Sequence, residues 1–308
     1  MRFTLRHLEY FVATCDAGSV TEAALSIPVA QSSVSLGIAQ LEAALGVQLL
    51  VRQHAQGVSP TPAGRRFLVR ARSLLREAAE MERFASELTD EITGVVELGC
   101  LITLAPLVPP RLCRSFSERH PGVTFELVEG GQAELLAGLR AGALTLALTY
   151  DLALAPDIAF EPLAELAPHV VLAADHPLAT RESVSLEELA GEPLVLLDRP
   201  LSREYFQSLF AGRSLTPAVG HRSAQPETIR TLVANGYGYT IVNARPLIDR
   251  ALDGRPLATI PLEGSPQPAV LGVARLAAVR PTRVAAGFLA HCRAEITPSG
   301  IPGLRTGG

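Results

Sequence analysis

Residues 19–60 read SVTEAALSIPVAQSSVSLGIAQLEAALGVQLLVRQHAQGVSP. Two short helical patterns meet in this stretch at Pro28. The first carries Ala23, Ala24 and Ile27 on one side, and the proline stops it by removing a backbone donor. The second, residues 31–45, sets Val34, Ile38, Leu41 and Leu45 at steps of four, three and four. That is one apolar stripe on a 3.6-residue period. Gly46 supplies the left-handed stop. Near its start the helix also shows Gln31, Ser32, Ser33 and Ser35, short polar groups able to reach base edges in a major groove. Residues 47–61 then read as strand, turn and strand, with Gly57 at the turn. Arg52 and His54 fall near the tip. The stretch is a helix-turn-helix followed by a wing.

Upstream, residues 4–17 predict a first helix with Leu5, Leu8, Phe11, Val12 and Cys15 on one face. Ser19 and Glu22 have the spacing of a capping box. Downstream, Thr61-Pro62 pairs an N-cap threonine with a proline at the first helical position. The helix it opens is expected to run to residue 93, where Gly94 ends it. Phe67, Ala71, Leu74, Ala78, Met81, Ala85, Leu88 and Ile92 alternate steps of four and three along it. A heptad seam of that length predicts a homodimer through this linker helix. Its alanines imply close, shallow packing.

The bulk properties narrow the class. The chain has 308 residues, 48% of them hydrophobic, enough for two or three cored domains. No apolar run reaches the ~18 residues of a bilayer span, and the amphipathic N-terminus has no signal-peptide core, so a cytoplasmic location is expected with no membrane partner. Four scattered cysteines (Cys15, Cys100, Cys113, Cys292) form no CxxC pair, which argues against a disulfide framework or a zinc site. There is no lysine, and all 27 basic residues are arginine. Residues 1–60 hold three arginines against four carboxylates. So low a basic charge predicts few released counterions and a shallow salt dependence of DNA binding.

From Gly94 the pattern becomes short apolar strands alternating with amphipathic helices. Strands are expected at 95–100, 123–128 and 144–149, with helices at 104–119 and 132–141 between them. A second set of strands (170–173, 194–197, 218–221, 239–242) alternates with helices at 185–190, 202–210 and 227–234. A strand at 269–274 and a helix at 281–296 close the chain. This order predicts two α/β subdomains with a largely parallel sheet. Crossovers near 163–168 and 261–267 would make a hinge with a cleft. The Gly/Pro-rich tail, 297–308, is expected to fray.

Ligands of such folds sit beyond strand ends and at helix N-termini. The candidates are Cys100, Leu101, Ile102 and Thr103 after the first strand, and Gln132 at the second helix. Tyr150 and Asp151 end the third strand; Ser202, Tyr205 and Ser223 lie at later strand ends and helix starts. Tyr237 and Tyr239 fall near the same loops and suggest a ring-lined pocket. Asp151 would suit an amine, amide or hydroxyl, or pair with Arg203. Cys100 at a strand end admits a redox-sensing alternative. An enzyme is the main rival class, but GxSxG, P-loop, GxGxxG and HExxH patterns are absent. No catalytic residue, metal ligand or cofactor is assigned.

The chain resembles a LysR-type transcriptional regulator. The resemblance is carried by LRHLEYFVATCDAGSVTEAALSIPVAQSSVSLGIAQLEAALGVQLLVR, then VSPTPAGRRFL, then HPGVTFELVEGG, LLAGLRAGALTLAL and HPLA. Many relatives carry long polar side chains where Leu36 and Gly37 stand here. The resemblance implies an α/β chain with an N-terminal, all-α-rich winged helix-turn-helix, a long linker helix and a two-lobed effector domain. The effector domain would be like a type 2 periplasmic binding protein. It divides the chain into 1–60, 61–93 and 94–300, with lobe I at about 94–165 and 266–300 and lobe II at about 166–265. It implies promoter DNA and a small-molecule effector as partners, a homodimer that assembles to a homotetramer, base reading by Gln31, Ser33 and Ser35, and a phosphate contact at Arg52.

Overall fold

The computed structural model describes residues 3–53, 57–84, 92–264, 266–297 and 300–305. The N-terminal unit comprises helices α1 (Leu5–Ala17), α2 (Val20–Ser26) and α3 (Gln31–Leu45) and an antiparallel wing, β1 (Leu50–Gln53) and β2 (Gly57–Pro60). Thr4 caps α1 by accepting from the His7 N–H, and Ser19 caps α2 by accepting from the Glu22 N–H, each at 3.4 Å. Leu8, Phe11, Ala24, Val34, Ile38 and Leu41 form one core with Leu49 and Leu50. Leu5 is left in solvent, and Tyr10 takes an interior place. A Cβ added at Gly37 would lie 2.5 Å from the Tyr10 ring. Position 37 thus faces the core, and its glycine is there because α1 and α3 pack this closely.

Helix α4 (Pro62–Phe84) leaves the wing with Thr61 Oγ1 accepting from the Gly64 N–H at 2.9 Å. The expected run to residue 93 is too long: Ile92 and Thr93 lie outside any helix. The heptad pattern also divides. Phe67 packs on Phe11 with ring centroids 5.6 Å apart, and Ala71 is buried in the winged unit's core, so both positions are filled by their own chain. Ile92 packs on the core of the next domain. Leu74 is 42% and Met81 77% exposed, with Ala78 half-buried between them. Ala85, Leu88 and His54 lie outside the described residues. One period thus serves two surfaces, because an apolar stripe does not record which chain will cover it.

Lobe I begins with β3 (Gly94–Leu101), α5 (Pro109–Arg119), β4 (Val123–Gly130), α6 (Gln132–Ala141), β5 (Leu146–Tyr150) and β6 (Ile158–Leu166). The chain crosses to lobe II with β7 (His169–Ala173), followed by α7 (Leu186–Leu189), β8 (Pro193–Leu197), α8 (Pro200–Ala211), β9 (Ala218–Ser223), α9 (Pro226–Ala234), β10 (Thr240–Val242) and β11 (Leu257–Pro261). It returns with β12 (Ala269–Leu276) and α10 (Arg283–Glu295). The lobe I sheet has the order β4-β3-β5-β12-β6. Its first three strands are parallel, and β12 runs antiparallel to both neighbours. The sheet is mixed because β12 enters from the lobe II side. In lobe II, β10-β7-β11 is antiparallel and β8-β9 parallel, joined by a bridge from Leu194 to Tyr239.

The sequence reading has no strand at β6 or β11. Both are sheet edges, and both carry proline (Pro162, Pro261). Edge strands tolerate proline and charge, which erases the apolar run. The tail differs as well. Ile301 and Leu304 are each 5% exposed in the lobe I core. Leu304 bridges to Pro246, the Arg305 N–H donates to Arg245 O at 2.9 Å, and Arg305 pairs with Asp249 at 2.8 Å. Residues 300–305 are therefore a strap from lobe I onto the 245–249 segment.

Candidate functional site

Two surfaces carry the candidate residues. On α3, Gln31, Ser32 and Ser33 are exposed and Ser35 is half-buried. Ala30 offers no side-chain cap; its carbonyl accepts from the Ser33 N–H at 2.9 Å, so of the first turn of α3 the Gln31 and Ser32 N–H groups stay available. Ser35 borders a groove between α3 and the wing, with Ala39, Gln48, Val51 and Val58. Glu42 of that groove accepts from the Leu49 and Leu50 N–H groups at 2.7 and 3.0 Å. Its carboxylate fixes the wing to α3. Arg52 lies on β1 opposite Val58. Leu36 is 60% exposed on α3. Counting basic charge to residue 60 stops too early. Arg65, Arg66 and Arg70 are exposed on the first turns of α4, and Arg65 donates to Pro60 O at 3.0 Å. Through residue 70 the unit has six arginines against four carboxylates.

Between the lobes lies a cavity of about 270 Å³. Ile102 and Thr103 enter it from the turn after β3, Tyr150 from the end of β5, Ser202 and Tyr205 from α8. An adjoining compartment of about 170 Å³ adds Leu101 and Gln132. Seven of the ten candidate residues thus come together. Three do not. Cys100 is fully buried with Leu98 beneath the site, because alternate residues of β3 point into the core. Asp151 is exposed and lines neither compartment; Arg203 pairs instead with Asp198 at 2.7 Å. Ser223 Oγ accepts from the Gln225 N–H at 3.1 Å and also lies outside the lining. Of the other tyrosines, Tyr239 is fully buried in the lobe II core, and Tyr237 sits outside against His221.

Several lining groups are already occupied. Gln132 is 5% exposed, donates to Leu152 O and accepts from Thr149 Oγ1. Burial raises the Tyr150 phenol, opposed by its hydrogen bond with Thr103. Residues 240–244, Pro246, Glu227 and Arg230 also line the cavity, and the sequence reading had none of them. Asn243 is the most connected. Its amide donates to Leu166 O at 2.8 Å and to the Tyr205 hydroxyl at 2.9 Å, and that hydroxyl donates to Gln267 O at 2.8 Å. One amide and one phenol therefore tie both crossover strands. A lone asparagine after a strand gives no sequence signal for this.

The far end of α6 meets the linker helix. Arg72 donates to Ala141 O and Arg76 to Gly142 O, and Arg72 also pairs with Asp16 of α1. Elsewhere, Ser115 Oγ lies 2.8 Å from His291 Nε2, as in a nucleophile pair. Arg119 sits 3.2 Å from His291 Nδ1, however, and an arginine can only donate. The neutral ring's remaining proton is then on Nε2, facing the serine, so it cannot take the serine proton. Burial pushes the thiol of Cys100 up, and those of Cys113 and Cys15 to about 12 each. No cluster of three or more metal-binding side chains occurs among the described residues. None of their helices is singly long and apolar enough to cross a membrane.

Comparisons with known proteins agree with this architecture. Residues 5–65 match the family model "Bacterial regulatory helix-turn-helix protein, lysR family", and residues 89–297 match "LysR substrate binding domain". The crystal structure of HinK, a LysR family regulator from Pseudomonas aeruginosa, is 37% identical, with a TM-score of 0.65 over 96% of this chain and 99% of that one. The transcriptional regulator YybE of Bacillus subtilis is 32% identical over 76% of this chain and 80% of its own length. A probable hydrogen peroxide-inducible genes activator of Mycobacterium avium is 31% identical over 91% and 86%. The chain belongs to the LysR family, as a DNA-binding transcriptional regulator with an effector-binding domain.

Proposed function

We propose that α3 and the wing read promoter DNA, with Gln31, Ser32, Ser33 and Ser35 at base edges, a phosphate contact from Arg52, and His54 as a further DNA-binding residue. A small molecule in the interlobe cleft alters that reading. Chains pair through α4 at Leu74, Ala78 and Met81, with Ala85 and Leu88 of the same sequence period also assigned to the seam, and assemble to a homotetramer in the cytoplasm. The observation that carries the coupling is the reach of α6. Its first residue, Gln132, lines the cleft, and its C-terminal carbonyls hold Arg72 and Arg76 of the linker helix. Ten residues of helix span about 15 Å as one rigid body.

A redox reading through Cys100 is disfavoured by its full burial and raised thiol pKa. The proton placement at Ser115 and His291 disfavours a nucleophilic role for that pair. Fluorescence anisotropy on DNA from upstream of the protein's own gene tests the reading. Nanomolar binding is expected at moderate salt, with a footprint that changes when effector is supplied. The double variant Arg72→Ala, Arg76→Ala should still bind DNA and lose the change. Absence of binding to any upstream fragment, or full response in the double variant, would overturn the proposal.

A further inference from the structure

The charges around the cleft are arranged against anions. Three helices start at it, and a helix N-terminus ordinarily offers free N–H groups and partial positive charge to an anionic ligand. Here two of the three starts already have a carboxylate of their own. Glu134 accepts from the Gly131 N–H at 2.7 Å at the head of α6. Glu227 occupies the first turn of α9, directly after Pro226, which has no N–H to give. The first residue of α8 is again a proline, and Asp198 ahead of it is paired with Arg203 at 2.7 Å and lies 3.9 Å from Arg222.

The side chains of the inner, 270 Å³ chamber follow the same sign. Glu129 and Glu227 line it, with Arg230 as the one cation among the described lining residues. Its Nη2 donates to Ile248 O and Arg250 O at 2.9 Å each, and its Nε lies 3.6 Å from the Glu227 carboxylate, which balances its charge. Arg199 stands only in the outer compartment, where it donates to Ala224 O. A carboxylate entering the inner chamber would lose hydration and meet two carboxylates against one guanidinium that is already paired with Glu227.

The rest of the wall is apolar, with Ile102, Leu107, Leu197, Phe206 and Ile229 prominent. Ser202 and Gln225 bring a hydroxyl and an amide that bond to no other described side chain. The chamber lies just under the ~300–1,000 Å³ usual for ligand pockets, so its occupant is small, on the scale of a single ring with a short chain. We infer that the inner chamber selects a small amphiphile with an apolar ring and an uncharged or cationic head, and rejects carboxylates of the same shape. This rests on the cleft being the effector site.

Three probes share one body and differ in the head: 2-phenylethylamine, 2-phenylethanol and phenylacetate. Isothermal titration into the full chain is expected to give the amine and the alcohol dissociation constants at least tenfold below that of phenylacetate. Glu227→Gln should reduce the advantage of the amine over the alcohol several-fold and leave the alcohol unchanged. Glu129→Gln gives the same readout if loss of the Glu227–Arg230 contact unfolds lobe II. Phenylacetate binding as tightly as the amine, or no binding by any of the three, overturns the inference. Ser202→Trp, which fills the chamber mouth, separates the two levels. Binding that survives it is outside the cleft and removes the underlying site reading. A carboxylate preference abolished by it removes only the charge inference.

Discussion

Truncating Leu304 to alanine tests what holds the C-terminal strap. Leu304 is 5% exposed, so nearly all of its side chain leaves water on folding. Leu→Ala at such sites costs about 2–5 kcal/mol, the lower end applying where neighbours can close the gap. A strap at the chain end can settle inward, which favours about 2–3 kcal/mol. In a domain of roughly 150–250 residues each kcal/mol moves Tm by about 2–4 °C. The effector-domain transition should therefore fall by about 4–12 °C. The polar end of the strap gives the contrast. The Arg305–Asp249 pair is 43% and 38% exposed, and water screens it to about 0.2–1 kcal/mol. Arg305→Ala should move the same transition by less than about 4 °C. Differential scanning calorimetry of the full chain measures both. A Leu304→Ala shift below about 2 °C, or a larger shift from Arg305→Ala, would refute anchoring by apolar burial.

Other consequences can be checked independently. Gly37→Leu gains about 1 kcal/mol of helix propensity but drives its Cβ to 2.5 Å from the Tyr10 ring, and overpacking of about 1–3 kcal/mol should win; a urea midpoint that rises would contradict this, and Tyr10→Ala should relieve the cost. Burial, aided by nearby Arg245 and Arg119 respectively, holds His169 and His291 below the ordinary histidine value. The folded state then binds these protons less readily than the unfolded chain, so stability is full above the unfolded pKa of ~6.5 and falls as pH drops below it. The urea midpoint should be lower at pH 5 than at pH 7.5, by less in the double variant His169→Gln, His291→Gln; equal loss in both proteins would exclude these two groups as the cause. Iodoacetamide at pH 8 should leave Cys100 unmodified in the native protein and label it in urea, as read by peptide mass; rapid native labelling would restore a thiol role.

Much of the winged unit was legible because its elements are local. A stripe at 34, 38, 41 and 45, a proline at 28 and glycines at 18 and 46 define α3 and its neighbours without reference to anything distant. Gly37 was not legible, since its reason is a ring 27 residues earlier on another helix. Reading strand ends gathers Thr103, Tyr150 and Ser202, which the fold brings to the wall of one cavity. Cys100 and Asp151 missed because a one-residue step along a strand reverses the side chain. Asn243 and Arg230 act through backbone carbonyls far away in sequence, and such contacts leave no pattern in residue type. The α4 seam shows the remaining limit: Phe67 and Met81 share one period, yet one is packed on Phe11 and the other is 77% exposed.

The place of β12 in the lobe I sheet has a consequence for how the chain is made. Among the described residues strand β6 pairs only with β12, and β5 has β12 as one of its two neighbours. Between the end of β6 at Leu166 and the start of β12 at Ala269 the ribosome must synthesise all of lobe II. At about 5–20 residues per second, that interval is on the order of 5–20 s. During it β6 has no ladder partner, while lobe II, contiguous in sequence, can close behind it. Translation thus imposes an order in which the second lobe matures first and the first lobe is finished last, by β12, α10 and the strap. Pro162 and the charges of β6 then protect a nascent edge as well as a finished one.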